Sequence, residues 1–207
     1  MALLLAALDP ASSGFPRAAL AGVAAATLVA FAVPLFQALD DEARARAQFP
    51  VLASFETRSE LSRFHFGNGT QYRIVRMPDA KGGTESAIQL HLPAGRYPGL
   101  VLSHFPGDWQ GMRALQLRIT NPEPTPLDIT VRIDDADYDY RLDLEDRYNR
   151  SFTLSPGPNR IEIPLSDVAA APRDRRFDLG HVQSLLLYAV DLAQPRNVIL
   201  GPITLLP

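Results

Sequence analysis

Polar and apolar side chains alternate strictly in four separate runs of this chain, and that period of two most limits how it can fold. Ile88, Leu90 and Leu92 alternate with Gln89 and His91, and Leu115, Leu117 and Ile119 with Gln116, Arg118 and Thr120. Leu127, Ile129, Val131 and Ile133 alternate with Asp128, Thr130, Arg132 and Asp134, and Ile161, Ile163 and Leu165 with Arg160 and Glu162. Strict alternation buries one face of a strand and wets the other, which is how antiparallel sheets read. His91 accordingly falls on a wet face. Turn residues separate the runs at Gly67-Asn68-Gly69, Lys81-Gly82-Gly83, Asn121-Pro122 and Ser155-Pro156-Gly157-Pro158. Only Ser166–Ala171 reads as helical, a single turn with Ser166 as cap and Pro172 as stop. The stretches Val182–Val190 and Asn197–Leu206 are more continuously apolar and are expected to be central strands. About ten short strands with no βαβ unit predict an all-β fold, an antiparallel β-sandwich or jelly roll.

The N-terminal part is different in kind. Ala18–Leu39 holds 22 consecutive residues without a charge, and Pro34 lies near its far end. A helix of that length reaches about 33 Å, enough to cross a hydrocarbon core of roughly 30 Å. A cleaved signal would have a shorter apolar stretch with a small-residue site close behind it. Here the Ala43/Ala45 and Ala45/Ala47 sites lie beyond Asp40, Asp41 and Glu42. One N-terminal transmembrane helix is therefore expected at 18–39, after an N-terminal segment 1–17 that opens with the apolar MALLLAAL. A solvated spacer at 40–48 and a β-domain at 49–207 follow. Arg17 precedes the span while Arg44 and Arg46 follow it among acids, so charge does not set its orientation.

Composition removes several functions. There is no Cys, which excludes disulfides, thiolate zinc sites and cysteine nucleophiles. A net charge of -3 argues against nucleic acid as a partner. His65, His91, His104 and His181 lack metal-ligand spacing, and neither a Gly-x-Ser-x-Gly elbow nor a phosphate loop is present.

The stretch Arg132–Arg150, RIDDADYDYRLDLEDRYNR, carries what chemistry there is. Asp135, Asp137, Asp139, Asp143 and Asp146 fall at positions 1, 3, 5, 9 and 12 of an EF-hand loop, but Tyr140 occupies position 6, where the sharp turn wants Gly. A looser calcium site stays open. So does carbohydrate recognition, because planar polar side chains meet hydroxyl groups and aromatic faces meet the C–H surfaces of sugars. Trp109, Arg132, Asp134, Tyr138, Tyr140 and Arg147 are the candidate glycan-binding residues, with Tyr97 a further platform. The competing reading makes the acids a solvated loop paired with Arg132, Arg141 and Arg147, and makes Trp109 part of the core. Glycoside hydrolysis by Asp137 and Asp139 has little support, since a surplus of acids picks out no pair.

FPVLASFE (Phe49–Glu56), YPGL (Tyr97–Leu100), GDWQGMRALQLRITNP (Gly107–Pro122), VRIDD (Val131–Asp135), DRYNRSFTLSPGPNRIEIPLSDV (Asp146–Val168) and AAPRDRRFDL (Ala170–Leu179) together carry a resemblance. They resemble the galactose-binding-like jelly roll at the C-terminus of VanZ-like bacterial membrane proteins. They are also similar to carbohydrate-binding modules and, more distantly, to the complex I intermediate-associated protein family. The resemblance covers about Phe49–Pro207 and implies a non-catalytic module. Its partner would be an envelope glycan or another polysaccharide, or other membrane proteins that it helps to assemble. It places the chain in the bacterial inner membrane with the β-domain on the periplasmic side; 19 Arg to one Lys fits a GC-rich bacterial genome. Modules of this shape often hold a structural calcium, which implies Glu56 as a ligand. The chain departs from the pattern at Gly201, where an acid is common, and in lacking the polytopic VanZ-like part.

Overall fold

The computed structural model describes Thr27, Val33, Phe36 and residues 39–79, 82–141 and 143–207. The segment 1–17 and the expected span at 18–39 lie outside these residues, except for Thr27, Val33, Phe36 and Leu39. Among the described residues no helix is long and apolar enough to cross a membrane. The chain divides into two units, Met1–Asp40 and Asp41–Pro207, and the second carries the architecture described below.

Residues 41–48, expected as a solvated spacer, are helical. Alanine, glutamate and arginine are strong helix formers, and Glu42 pairs with Arg46 one turn on at 2.5 Å. Asp41 is buried and meets Arg63 at 3.0 Å, so this segment packs as part of the unit. Eleven strands follow among the described residues: β1 (Val51–Ala53), β2 (Phe64–Gly67), β3 (Gln71–Pro78), β4 (Thr84–Leu92), β5 (Gly99–Ser103), β6 (Ala114–Asn121), β7 (Leu127–Asp135), β8 (Tyr148–Leu154), β9 (Gly157–Pro164), β10 (Val182–Tyr188) and β11 (Arg196–Leu206). Each alternating run becomes a strand. The expected turn of helix forms at Leu165–Ala169, one residue early, so Ser166 lies within it and Pro164 stands at its cap.

Every strand pairing is antiparallel. The first sheet has the order β3-β4-β11-β6-β9 with β1 also on β11, and the second has the order β2-β5-β10-β7-β8. The two most continuously apolar strands, β10 and β11, are thus each the middle of a sheet. Pro202 stands inside β11, where a residue without an N–H breaks a ladder. The register shifts there, between Leu200 and Ile203: the β4 pairing ends at Leu200 and the β1 pairing begins at Ile203.

The inward side chains of both sheets form one core, with Leu90, Leu115, Leu117, Ile133, Leu185, Leu200 and Leu205 at its centre. Each such side chain contributes about 1.5–3 kcal/mol on burial. Trp109, fully buried, is part of it.

Candidate functional site

The second sheet leaves its outer face to solvent, and the strand register lines up the residues on that face in rungs. Gly67, Gly99, Tyr188, Thr130 and Ser151 make one rung. His65, Val101, Leu186, Arg132 and Asn149 make the next, followed by Ser103, Ser184 and Asp134. Two adjacent glycines in the first rung lower the floor there. Tyr97 and Asn68 rise at one end, and Leu144 and Arg147, from the connection between β7 and β8, rise at the other. The result is an open groove of about 640 Å³ across the strands.

Gly99 is required by a close approach. A Cβ there would lie 2.1 Å from the Leu187 carbonyl oxygen and 2.6 Å from Tyr188 Cα. The Gly99 N–H donates to Thr70 Oγ1 at 2.8 Å, and Asn68 Nδ2 donates to the Tyr97 carbonyl at 2.7 Å. Tyr97 meets Tyr188 edge to face, with ring centroids 5.7 Å apart. Burial pushes the Tyr188 phenol above its ordinary pKa, so it keeps its proton and donates to Asn149 Oδ1 at 2.9 Å. Tyr97, Leu144 and Val190 stay exposed as apolar surface along the groove.

Four of the six residues expected to bind glycan come together here. Arg132 and Arg147 line the groove. Tyr138 is held between them, with Arg132 at 5.0 Å and Arg147 at 5.6 Å from its ring centroid, and its hydroxyl accepts from Arg147 Nη1 at 2.8 Å. Asp134, only 7% exposed, accepts from Arg132 Nε at 2.8 Å and from Ser184 Oγ at 2.8 Å. Burial opposes the charge on Arg132, but the Asp134 carboxylate outweighs it and raises the guanidinium's pKa.

The other two are elsewhere. Trp109 is 0% exposed, packs on Phe105 and donates its indole N–H to the Pro106 carbonyl at 3.1 Å, so it has no face to offer a ligand. That corrects its assignment to the site: a large aromatic in an irregular loop is drawn into the core. Tyr140 is 78% exposed and does not line the groove. Tyr188, Tyr97, Asn149 and Asn68 do line it. The period of two places Tyr188 and Asn149 on outer faces, but only the strand order shows that those faces are neighbours.

The acidic stretch is occupied by arginine. Arg175 grips Asp135 with both Nη atoms, at 2.5 and 2.7 Å, and donates through Nε to Asp146 at 2.6 Å. Asp146 in turn accepts from the Asp139 N–H at 2.7 Å, which ties the loop after β7 to the sheet. Arg141 takes the Asp139 carboxylate in a fork that holds its pKa below the ordinary range. Glu56 is exposed. Among the described residues no three His, Cys, Asp or Glu are placed to hold a metal ion. Glu56, the expected calcium ligand, is thus not part of such a cluster among the described residues. At Gly201, the position where an acid is common, a Cβ would meet Met77 Sδ at 2.7 Å, so a side chain there would have to displace the methionine.

No protein-family model matches the chain, and no curated protein matches its sequence. Solved structures share its fold. An exo-beta-agarase superposes with a TM-score of 0.61 at 18% identity, over 76% of this chain and 24% of the agarase. A second agarase gives 0.54 at 12% identity, over 75% of this chain and 26% of that one. The family 11 carbohydrate-binding module of Clostridium thermocellum, in complex with a beta-1,3-1,4-mixed-linked tetrasaccharide, gives 0.53 at 16% identity, over 75% of this chain and 94% of the module. The chain spans about a quarter of either agarase and nearly all of the module. Its neighbours thus include carbohydrate-binding modules with a β-sandwich fold.

Proposed function

We propose that the β-sandwich is a non-catalytic carbohydrate-binding module whose ligand, an envelope glycan or other polysaccharide, lies in the groove across the second sheet. The observation that carries the reading is the groove itself: open along its length, floored by glycine, and edged by aromatic faces, amides and hydroxyls. That is the surface a sugar chain needs, apolar where its C–H faces lie and polar where its hydroxyls point. The module from Clostridium thermocellum supports it, since the match runs over nearly the whole of that binding protein. The uncharged run at 18–39 would hold the module at the bacterial inner membrane, with the sandwich on the periplasmic side, as the resemblance to VanZ-like proteins implies.

The test is binding of the full-length chain to a polysaccharide panel by affinity electrophoresis. Tyr188→Ala and Tyr97→Ala are each expected to weaken the best ligand about tenfold, which is about 1.4 kcal/mol. Unchanged binding in both would remove the groove as the site. A second reading, an assembly module for membrane proteins, is favoured by Tyr72 and Ile74, which stay exposed on the edge strand β3. A blank panel together with a stable protein partner recovered from detergent extract would select it.

A further inference from the structure

The groove's donors and acceptors are unequal, and the imbalance specifies the charge of the chain that would fill it. This inference rests on the carbohydrate reading. Among the described residues the charged side chains that line the groove are Arg132 and Arg147, with Asp134 beside Arg132. Asp134 is committed within the protein to Arg132 Nε and Ser184 Oγ. The oxygens of the rungs are similarly engaged: Asn149 Oδ1 accepts from Tyr188, and Thr130 Oγ1 and Ser151 Oγ bond each other at 2.8 Å. A neutral sugar presents mostly hydroxyls and is best held by free carboxylates that accept from them. Among the described residues the groove's lining offers none.

Two of the groove's residues keep uncommitted donors, Arg132 and Asn149. Arg132 spends only Nε on Asp134, and its Nη1 and Nη2 make no hydrogen bond among the described residues. Its side chain is 23% exposed and lines the groove. Asn149, directly across from Arg132 in the register, has its Nδ2 without an acceptor among the described residues. Arg132 is also pre-positioned, gripped by Asp134 on one side and set over the Tyr138 ring on the other. A guanidinium whose two Nη atoms face an open groove suits a planar or tetrahedral oxyanion bound through two oxygens.

We infer that the groove selects an anionic polysaccharide, seating a carboxylate or sulfate substituent against the Nη edge of Arg132 with Asn149 Nδ2 beside it. The chain's overall charge of -3 does not oppose this, because recognition follows the local field.

The experiment uses the full-length chain and two pairs of polysaccharides that differ mainly in charge. Polygalacturonate against its methyl-esterified form tests the carboxylate, and κ-carrageenan against its desulfated form tests the sulfate. The charged member of at least one pair is expected to bind about tenfold tighter than its neutral counterpart. That preference should shrink as salt rises from about 0.05 M to about 0.5 M. Arg132→Gln should erase the preference and Arg132→Lys should keep part of it. If Arg132→Gln does not fold, the salt dependence of the unsubstituted chain decides. Equal binding within both pairs, or tighter binding of the neutral members, overturns the inference and leaves the carbohydrate reading standing. No binding to any of the four alongside binding to a neutral polysaccharide of the panel likewise overturns the inference alone, and a panel blank throughout overturns both.

Discussion

Gly99 shows how the groove depends on atoms that are missing. With a Cβ, the residue would press on the backbone of β10 where it carries Tyr188. Gly99→Ala is expected to cost about 1–3 kcal/mol in urea unfolding, because β5 and β10 must part to admit the methyl group. An unchanged midpoint would show that the strands give way freely. The sequence shows this glycine only as a member of YPGL, since the clash is with a strand almost ninety residues away. Trp109 was hard to read for a related reason. Its neighbours Asp108 and Gln110 suggest a wet loop, but outside a strand no period says which way a side chain points. Arg132, Asp134, Tyr138 and Arg147 were legible because they are concentrated in one run, beginning on a strand whose alternation assigns the faces of Arg132 and Asp134.

At the scale of elements, the connection from β7 to β8 is the part most dependent on distant chemistry. Its acids read as a ligand set because their partner is far along the chain: Arg175 lies 40 positions after Asp135. Removing Arg175 would leave the fully buried Asp135 carboxylate unpaired. Arg175→Ala is therefore expected to destabilise the domain by about 3–5 kcal/mol, measured by urea titration. A loss within experimental error would mean water replaces the guanidinium. The same clamp sets an acid sensitivity. The Arg175 hydrogen bond lowers the Asp146 pKa below its unfolded value. Its stabilisation is thus complete above that unfolded value, near pH 4, and is lost as pH falls through the folded one. Urea unfolding between pH 6 and pH 2 should show this loss, and Asp146→Asn should flatten it. A slope unchanged by the substitution would assign it to other carboxylates.

For the whole molecule, the two-sheet architecture was legible almost entirely from the alternating runs, and so was the central placing of β10 and β11. The strand order was not, because alternation says which face is buried and never which strand is next. That order decides which outward faces become one surface, so the groove emerged only with the fold. The order also has a consequence for how the protein comes into being. Synthesis runs from the first residue to the last, yet the strands that β4, β6, β5 and β7 need as neighbours are the last two to be made. Until residue 188 emerges the second sheet is two separate hairpin-like halves, and until residue 206 emerges so is the first. Nine strands must wait, with apolar faces open, for two. A chain stopped at residue 181, before both central strands, should therefore be cleaved rapidly by protease along its whole length, whereas the complete chain resists. Partial protection of the truncated chain would show that half-sheets are stable on the way. For a protein expected to be exported, the wait would keep the chain open while it is being threaded across a membrane, with the last two strands to arrive closing it on the far side.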